Sequence, residues 1–310
     1  MHPLLDSCFP LALGTSGFGT SIARDTAFSV LDAFLDCGGR LVDTAAVYGM
    51  GVSEQVLGDW MKSRGVRERM IVATKGGHPD LRDWSGRMTE REIVSDAESS
   101  LRFLQTDCID LYFLHRDDES KPVEVIMPIL DRLVREGKVR HLGASNWRVA
   151  RINEANAFAK KNGMTAFSVS QILWCGTRIN REGLFDPTMV DMDEEEHRGY
   201  AENKLPVMAY SSQAQGLFAR IREKGYEGLS ERMLRTYDNP FTRLRAERIL
   251  EVAKETGVSP SAVSLAYLLH DRAVKAYPIL GTSRPERLRE AMGVFSLKQR
   301  DVDRLFEVLQ

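Results

Sequence analysis

The 310-residue chain is short of the features that mark secreted, membrane or nucleic-acid-binding proteins. It has four cysteines, Cys8, Cys37, Cys108 and Cys175, and none stands in a CxxC pair or at metal-ligating spacing from a histidine. Isolated cysteines of this kind read as reduced thiols of a cytosolic protein, not as a disulfide framework or a zinc site. Neither charge is in excess: 42 Lys+Arg against 44 Asp+Glu leave a net charge of -2, so composition offers no basic face and no nucleic-acid partner is expected. No apolar run approaches the ~18 residues of a membrane span, and the opening stretch MHPLLDSCFPLALG has no basic leader and is interrupted by Asp6. A cytoplasmic protein with no membrane partner is the expectation. Low-complexity segments and internal repeats are also missing.

What is present is a composition fit for a large core, 43% hydrophobic and 28% charged. Length alone suggests two domains, but α/β barrels commonly exceed ~200 residues as one, and one domain over residues 1–310 is expected. Short apolar runs recur at 11–15, 41–45, 70–75, 108–114, 139–144, 167–173, 205–210 and 276–281. Segments of helical periodicity lie between them; in residues 25–37, Ala27, Val30, Leu31, Phe34 and Leu35 make one stripe. Thr89 with Glu92 and Ser283 with Glu286 fit capping boxes, Ser259 precedes Pro260 as a cap precedes a first-turn proline, and glycines at 38, 65, 137, 163 and 257 fit helix ends. Eight strands alternating with helices predict a (β/α)8 TIM barrel. The seventh interval is long: SSQAQGLFARIREKGYEGLSERMLRTYDNP precedes helices predicted at 243–256 and 260–271, and a lid over the barrel mouth is expected there. The acidic run DMDEEEH at 191–197 reads as a solvated loop and helix start, and SLKQRDVDRLFEVLQ as a capped C-terminal helix.

Three successive strands finish on ionisable groups. RLVDTAAVYG delivers Asp43 and, five residues on, Tyr48; MIVATKGG ends in Lys75; IDLYFLH ends in His115. Singly, each has a structural explanation: Asp43 can cap a turn, and a lone strand-end histidine is usually a satisfied structural residue. Together they answer one another's needs, because a phenol yields its proton readily at neutral pH only beside a cation. In a barrel, catalytic residues come from the C-terminal ends of different strands, as these do.

With VDTAAVYG, IVATKGG, DLYFLHRDD, GKVRHLGASN, SVSQ, AYSSQAQGL and PILGTSRPERL in this order and spacing, the chain resembles the aldo-keto reductases from residue 11 to about 293. The resemblance implies a (β/α)8 barrel that passes hydride between a nicotinamide cofactor and a small-molecule carbonyl, such as an aldehyde, ketone or open-chain sugar. It implies that Tyr48 is the general acid, that Lys75 aids the loss of its proton, that Asp43 orients Lys75, and that His115 hydrogen-bonds the carbonyl oxygen. It places Ser145, Asn146 and Gln171 on the nicotinamide carboxamide, Tyr210 against the nicotinamide ring, and Ser211, Gln213, Gln215, Gly216 and Leu217 along the pyrophosphate. Gly281, Thr282, Ser283, Arg284 and Arg287 fall where the family binds the remaining phosphate and adenine, with a helix N-terminus to help. Arg287 favours NADP(H), with NAD(H) as the alternative. The sequence departs from the family at Ser212 and Gln213, where a proline and an apolar residue are usual, at Gly281, where some members have lysine, and at Ala291, where asparagine is common. Only ten residues precede Leu11, where many members have a β-hairpin, so the barrel floor is expected to be closed in another way. Phe18, Trp84 and Trp174 follow the first, third and sixth strands and are the expected substrate-pocket residues.

Two other readings use the same residues. A metal-dependent barrel hydrolase would draw on His115, Asp117 and Asp118, but there is no HxH pair and no second histidine at a neighbouring strand end. No metal ligands are therefore assigned. A nicotinamide-binding regulatory protein would keep the cofactor residues without useful turnover, and the complete set Asp43, Tyr48, Lys75 and His115 argues against that.

Overall fold

A computed structural model of the protein describes residues 2–6 and 8–307. Eight parallel strands close into a barrel in sequence order: β1 (Ala12–Gly14), β2 (Leu41–Asp43), β3 (Ile71–Gly76), β4 (Ile109–Leu114), β5 (Val139–Ser145), β6 (Phe167–Leu173), β7 (Val207–Tyr210) and β8 (Ala276–Leu280). All eight predicted strands are found. They are short and nearly continuous apolar runs, as parallel strands buried on both faces must be; every residue of β3 and β4 is buried. Two compact units make up the chain, Met1–Gln171 and Ile172–Gln310.

In the first unit, β1 to β5 and most of β6 alternate with α1 (Arg24–Asp36), α2 (Val52–Arg64), α3 (Glu90–Leu104), α4 (Val123–Arg135) and α5 (Val149–Lys161). The predicted stop glycines sit at their ends, Gly65 as a left-handed cap of α2 and Gly38, Gly137 and Gly163 with positive φ just beyond the others. Thr89 and Glu92 form the reciprocal capping box at α3. The N-terminal segment packs where the strands begin: His2 donates to or accepts from Ser168 at 3.0 Å, its ring lies 5.0 Å from that of His141, and Leu5 is fully buried. Among the described residues, His2 thus ties this segment to the starts of β5 and β6.

The second unit holds β7, β8 and α6 (Glu194–Asn203), α7 (Leu217–Lys224), α8 (Glu231–Tyr237), α9 (Pro240–Thr256), α10 (Pro260–Leu269), α11 (Pro285–Ala291) and α12 (Gln299–Phe306). Three expectations need correction here. The long loop expected after the seventh strand holds two helices that were not predicted, α7, bracketed by left-handed Gly216 and positive-φ Gly225, and α8, capped by Ser230, and Asn239 with Pro240 starts α9 three residues earlier than predicted. Ser283 and Glu286 do not form a capping box, because Pro285 takes the first helical position and moves the cap to Arg284. The acidic run is only partly solvated. Asp191 is buried with Arg181 as its ion-pair partner, Asp193 caps α6, and Glu196 is buried. The C-terminal helix begins where Asp301 accepts the Lys298 N–H at 3.2 Å; the predicted stretch beyond residue 307 lies outside the described residues. Among the described residues no helix is long and apolar enough to cross a membrane.

Candidate active site

In the first unit the four strand-end residues converge. Asp43 is the last residue of β2 and Lys75 the penultimate one of β3; their register on adjacent strands lets the ammonium reach back to the carboxylate at 2.8 Å. Lys75 is only 1% exposed. Its ammonium also donates to the Thr44 carbonyl at 2.8 Å and to the Tyr48 phenol oxygen at 3.4 Å, and it lies 4.9 Å from the centre of the Tyr48 ring. Tyr48 itself is half-buried, on a short turn (Tyr48–Gly51) whose Gly49 adopts φ +58, a conformation open to glycine without a Cβ penalty. Burial disfavours the charged ammonium, but the Asp43 carboxylate and the Tyr48 oxygen outweigh it and raise the lysine above its ordinary value.

His115 stands one residue past β4 and is buried, its ring 5.9 Å from that of Tyr48 and nearly perpendicular to it at 81°. Burial, followed by the positive charges of Lys75 and Arg116 and by His78, pushes it well below the usual histidine range. The imidazole is therefore neutral at working pH. Of its ring nitrogens, Nδ1 is buried without a partner. An N–H buried there would lose its hydrogen bonds to water, so the favoured tautomer carries its proton on Nε2. A neutral folded state beside a protonatable unfolded one costs stability as pH falls below 6.5, the ordinary value. We expect the ¹⁵N signals of His115 to stay those of a neutral ring as pH falls through 6.5; a titration near 6.5 would contradict the burial argument.

Ser145, the last residue of β5, pairs in register with Gln171 of β6, and Asn146 follows with φ +56. All three are buried. The Asn146 amide donates to Ser145 Oγ at 3.0 Å and to the His115 carbonyl at 3.3 Å, while Gln171 Nε2 donates to Asp43 Oδ1 at 2.8 Å. Gln171 thus has a second duty that the motif did not announce: it holds the second oxygen of the carboxylate that holds the lysine. With its nitrogen committed, its carbonyl oxygen is suited to accept from an amide. The three side chains fit a carboxamide, which needs both donors and acceptors.

Asp117 and Asp118 are engaged elsewhere. Asp117 accepts the Asp118 N–H at 2.9 Å and lies 3.4 Å from Arg151, with burial raising its carboxyl to about 6; Asp118 accepts from Ser120. Among the described residues no three His, Cys, Asp or Glu side chains are grouped to hold a metal. Phe18 is wholly buried in the loop after β1, whereas Trp84 is 43% exposed in the loop after β3.

In the second unit, half-buried Tyr210 ends β7 and Ser211, Ala214 and Gln215 follow with positive φ, so the backbone of this loop coils tightly ahead of Gly216 and buried Leu217. Ser212, standing where a proline is usual, donates to the Ile279 carbonyl of β8 at 2.7 Å and so pins the loop by its side chain. Gln213 is half-buried and Gln215 exposed. Gly281, Ser283, Arg284 and Arg287 are exposed after β8, Thr282 is half-buried and accepts the Arg284 N–H at 3.0 Å, and Arg287 is 4.0 Å from Glu290. Trp174 is buried, edge-on to His197 at 6.1 Å.

Sequence reasoning passed over His78, whose ring meets that of His115 edge to face at 4.8 Å. Its signal was there to find: it lies three residues beyond Lys75 and closer to the end of its strand than Tyr48 is to the end of β2.

The model of the aldo/keto reductase family matches residues 10–310. A norsolorinic acid reductase of Aspergillus flavus is 31% identical over 93% of this chain and 74% of its own length. An aryl-alcohol dehydrogenase of Pestalotiopsis microspora is 31% identical over 93% of this chain and 75% of its own, and an aldo-keto reductase of Emericella nidulans 32% identical over the same shares. A closed parallel barrel, ionisable groups gathered at its strand ends and a family match along nearly the whole chain lead to one conclusion: the chain belongs to the aldo/keto reductase family and is an NAD(P)H-dependent oxidoreductase.

Proposed function

We propose that this protein is an NADP-preferring carbonyl reductase that reversibly reduces a small aldehyde, ketone or open-chain sugar, with Tyr48 as general acid. The observation that carries the reading is the buried Lys75 ammonium, bound at once to the Asp43 carboxylate and to the Tyr48 oxygen. When bound, a nicotinamide cofactor supplies the hydride. Tyr48 gives its proton to the carbonyl oxygen, and Lys75 stabilises the negative charge that the phenol oxygen takes on as the proton leaves. Asp43, itself held by Gln171, keeps the ammonium aimed at that oxygen. His115, neutral and donating from Nε2, hydrogen-bonds the carbonyl oxygen as charge develops there. Ser145, Asn146 and Gln171 would hold the carboxamide, and Tyr210 would meet the ring. Residues 211–217 and 281–284 would line the phosphates, with Arg287 reading the 2′-phosphate. Relatives named for reduction and for alcohol dehydrogenation accord with a reaction that runs either way. That none of the four cysteines is in a disulfide among the described residues suits a cytoplasmic setting.

Titration with NADPH and NADH, followed by quenching of tryptophan fluorescence, tests the cofactor. NADPH should bind more tightly, and Arg287→Ala should weaken NADPH by about tenfold, one charge-assisted hydrogen bond, and NADH far less. Equal weakening of both would remove Arg287 as the reader of the 2′-phosphate. Failure of either nucleotide to bind would sink the proposal.

A further inference from the structure

Residues 44–53 leave the end of β2, carry Tyr48 and return as the first turn of α2. Up to Ala46 the neighbouring strand holds this segment, the Thr44 N–H donating to the Ala73 carbonyl at 2.8 Å and the Ala46 N–H to the Lys75 carbonyl at 3.0 Å. Farther on its backbone bonds are local: the Tyr48 N–H donates to the Ala45 carbonyl and the Met50 N–H to that of Val47. Gly49, Met50 and Gly51 follow one another in the left-handed region, with φ +58, +53 and +91. A residue other than glycine keeps such an angle only where its surroundings impose it. Met50 is 88% exposed, so the packing of its own side chain is not what does so. The constraint comes from the ends of the segment.

At those ends three hydroxyls meet. Thr15 just past β1, Thr44 just past β2 and Ser53 in α2 are all wholly buried. A serine in a helix commonly bonds the backbone of its own turn, but Ser53 reaches across to the strand ends. Its Oγ donates to the Thr15 carbonyl at 2.8 Å and lies 2.7 Å from Thr15 Oγ1 and 3.0 Å from Thr44 Oγ1. Thr15 Oγ1 also donates to the Asp43 carbonyl at 3.1 Å. Each hydroxyl has one proton to give. With the Ser53 proton on the Thr15 carbonyl, Ser53 Oγ accepts from Thr44, and the Thr15 proton lies between Ser53 Oγ and the Asp43 carbonyl. The bond from Thr44 to Ser53 thus closes the segment into a ring at its base, with Tyr48 on the span between. The same two strand-end residues hold the lysine, Asp43 by its carboxylate and Thr44 by its carbonyl, each at 2.8 Å. The cluster therefore braces both sides of the 3.4 Å contact between Lys75 and the Tyr48 oxygen.

We propose that Ser53 is a positioning residue for the proton transfer: through the hydroxyls of Thr44 and Thr15 it clamps the base of the Tyr48 segment against the residues that hold Lys75, and so sets the approach of phenol to ammonium. Wholly buried, Ser53 acts only through these neighbours. The inference rests on the reductase reading above, which makes Tyr48 the acid. A misplacement of about 1 Å can cost a reaction on the order of 10²-fold, so a small relaxation of the clamp is enough to be read in the rate.

The test measures steady-state reduction with NADPH of benzaldehyde, butanal and D-xylose, and carries the compound that the parent reduces fastest through the variants. Ser53→Ala and Thr44→Val should each lower kcat by about tenfold, with KM and NADPH affinity within about twofold of the parent. The solvent deuterium isotope effect on kcat should rise in both, because a misplaced acid makes the proton step limit the rate more strongly. Thr44→Val removes the hydroxyl and keeps the shape, so it reads the same bond if Ser53→Ala folds poorly. Thr44→Ser, which keeps the hydroxyl, should restore most of kcat, and the double variant should lose little more than either single one. Ser264→Ala removes another wholly buried hydroxyl, one that donates to the Ser261 carbonyl within α10 at 2.8 Å, and should keep the parent kcat. A parent-like kcat in both Ser53→Ala and Thr44→Val, losses that fall on KM, an unmoved isotope effect, or a Thr44→Ser no better than Thr44→Val would overturn the clamp while leaving the reductase reading in place. No turnover of any of the three compounds by the parent would overturn the reductase reading, and the clamp with it.

Discussion

Tyr48→Phe is expected to cut kcat/KM for carbonyl reduction by about 10²–10⁴-fold, the usual worth of a positioned general acid, with little change in nucleotide affinity. The phenol oxygen is the only part removed. The ring remains to pack against the Lys75 ammonium 4.9 Å away, and Ser145, Asn146 and Gln171 keep their bonds to one another's neighbourhood and to Asp43. The loss should fall on kcat, since the proton moves only in the transition state. The measurement is steady-state reduction of an aldehyde with NADPH, paired with a fluorescence titration of the same variant. A variant that binds nucleotide as the parent does, in a protein whose parent shows no turnover, would favour the regulatory reading of this chain. A variant that reduces the aldehyde at the parent rate would remove Tyr48 as the acid.

The barrel was legible because its strands are buried on both faces and its helices carry one apolar stripe, two patterns that differ in period and alternate without a break. Glycines at 38, 65, 137, 163 and 257 and Ser259 before Pro260 fixed several boundaries, because those residues answer backbone needs that do not depend on distant contacts. Ser283 failed as a cap for a local reason too: Pro285 has a fixed φ and no N–H, and it claimed the helix start. Asp191 and Glu196 were misjudged because their burial is decided by tertiary packing, the former by Arg181 across the loop that follows β6. In the site, strand-end position marked Asp43, Lys75 and His115 from sequence. The Gln171 to Asp43 bond was not readable, since it joins residues 128 positions apart whose neighbourhood exists only in three dimensions. His78 was overlooked for a different reason. A lone histidine gains meaning only from the ring beside it, and that ring follows another strand.

The second large effect concerns the charges that chemistry requires and folding opposes. Asp43→Ala should destabilise the protein by about 3–5 kcal/mol, which is the cost of leaving one member of a buried ion pair uncompensated, and lower Tm by roughly 5–15 °C. The Lys75 ammonium would keep the Thr44 carbonyl and the Tyr48 oxygen but no carboxylate, and the Gln171 amide would lose its acceptor. Replacing both charges, as in Asp43→Leu with Lys75→Met, should recover most of that loss, because two apolar side chains need no partner. Urea unfolding of the two single variants, the double variant and the parent provides the measurement; a double variant no more stable than Asp43→Ala alone would show that the pair is not what the structure depends on here. The pH dependence supplies an independent check. The folded lysine is raised above its ordinary value of 10.5, so the stability it contributes is fully present below that value and is lost as pH rises through the folded one. The gap in stability between the parent and Lys75→Met should therefore be constant through neutral pH and close in the alkaline range above 10.5. If the gap instead closed on the acid side of neutrality, the lysine would not be the raised group, and the argument that Asp43 holds it charged would fail along with it.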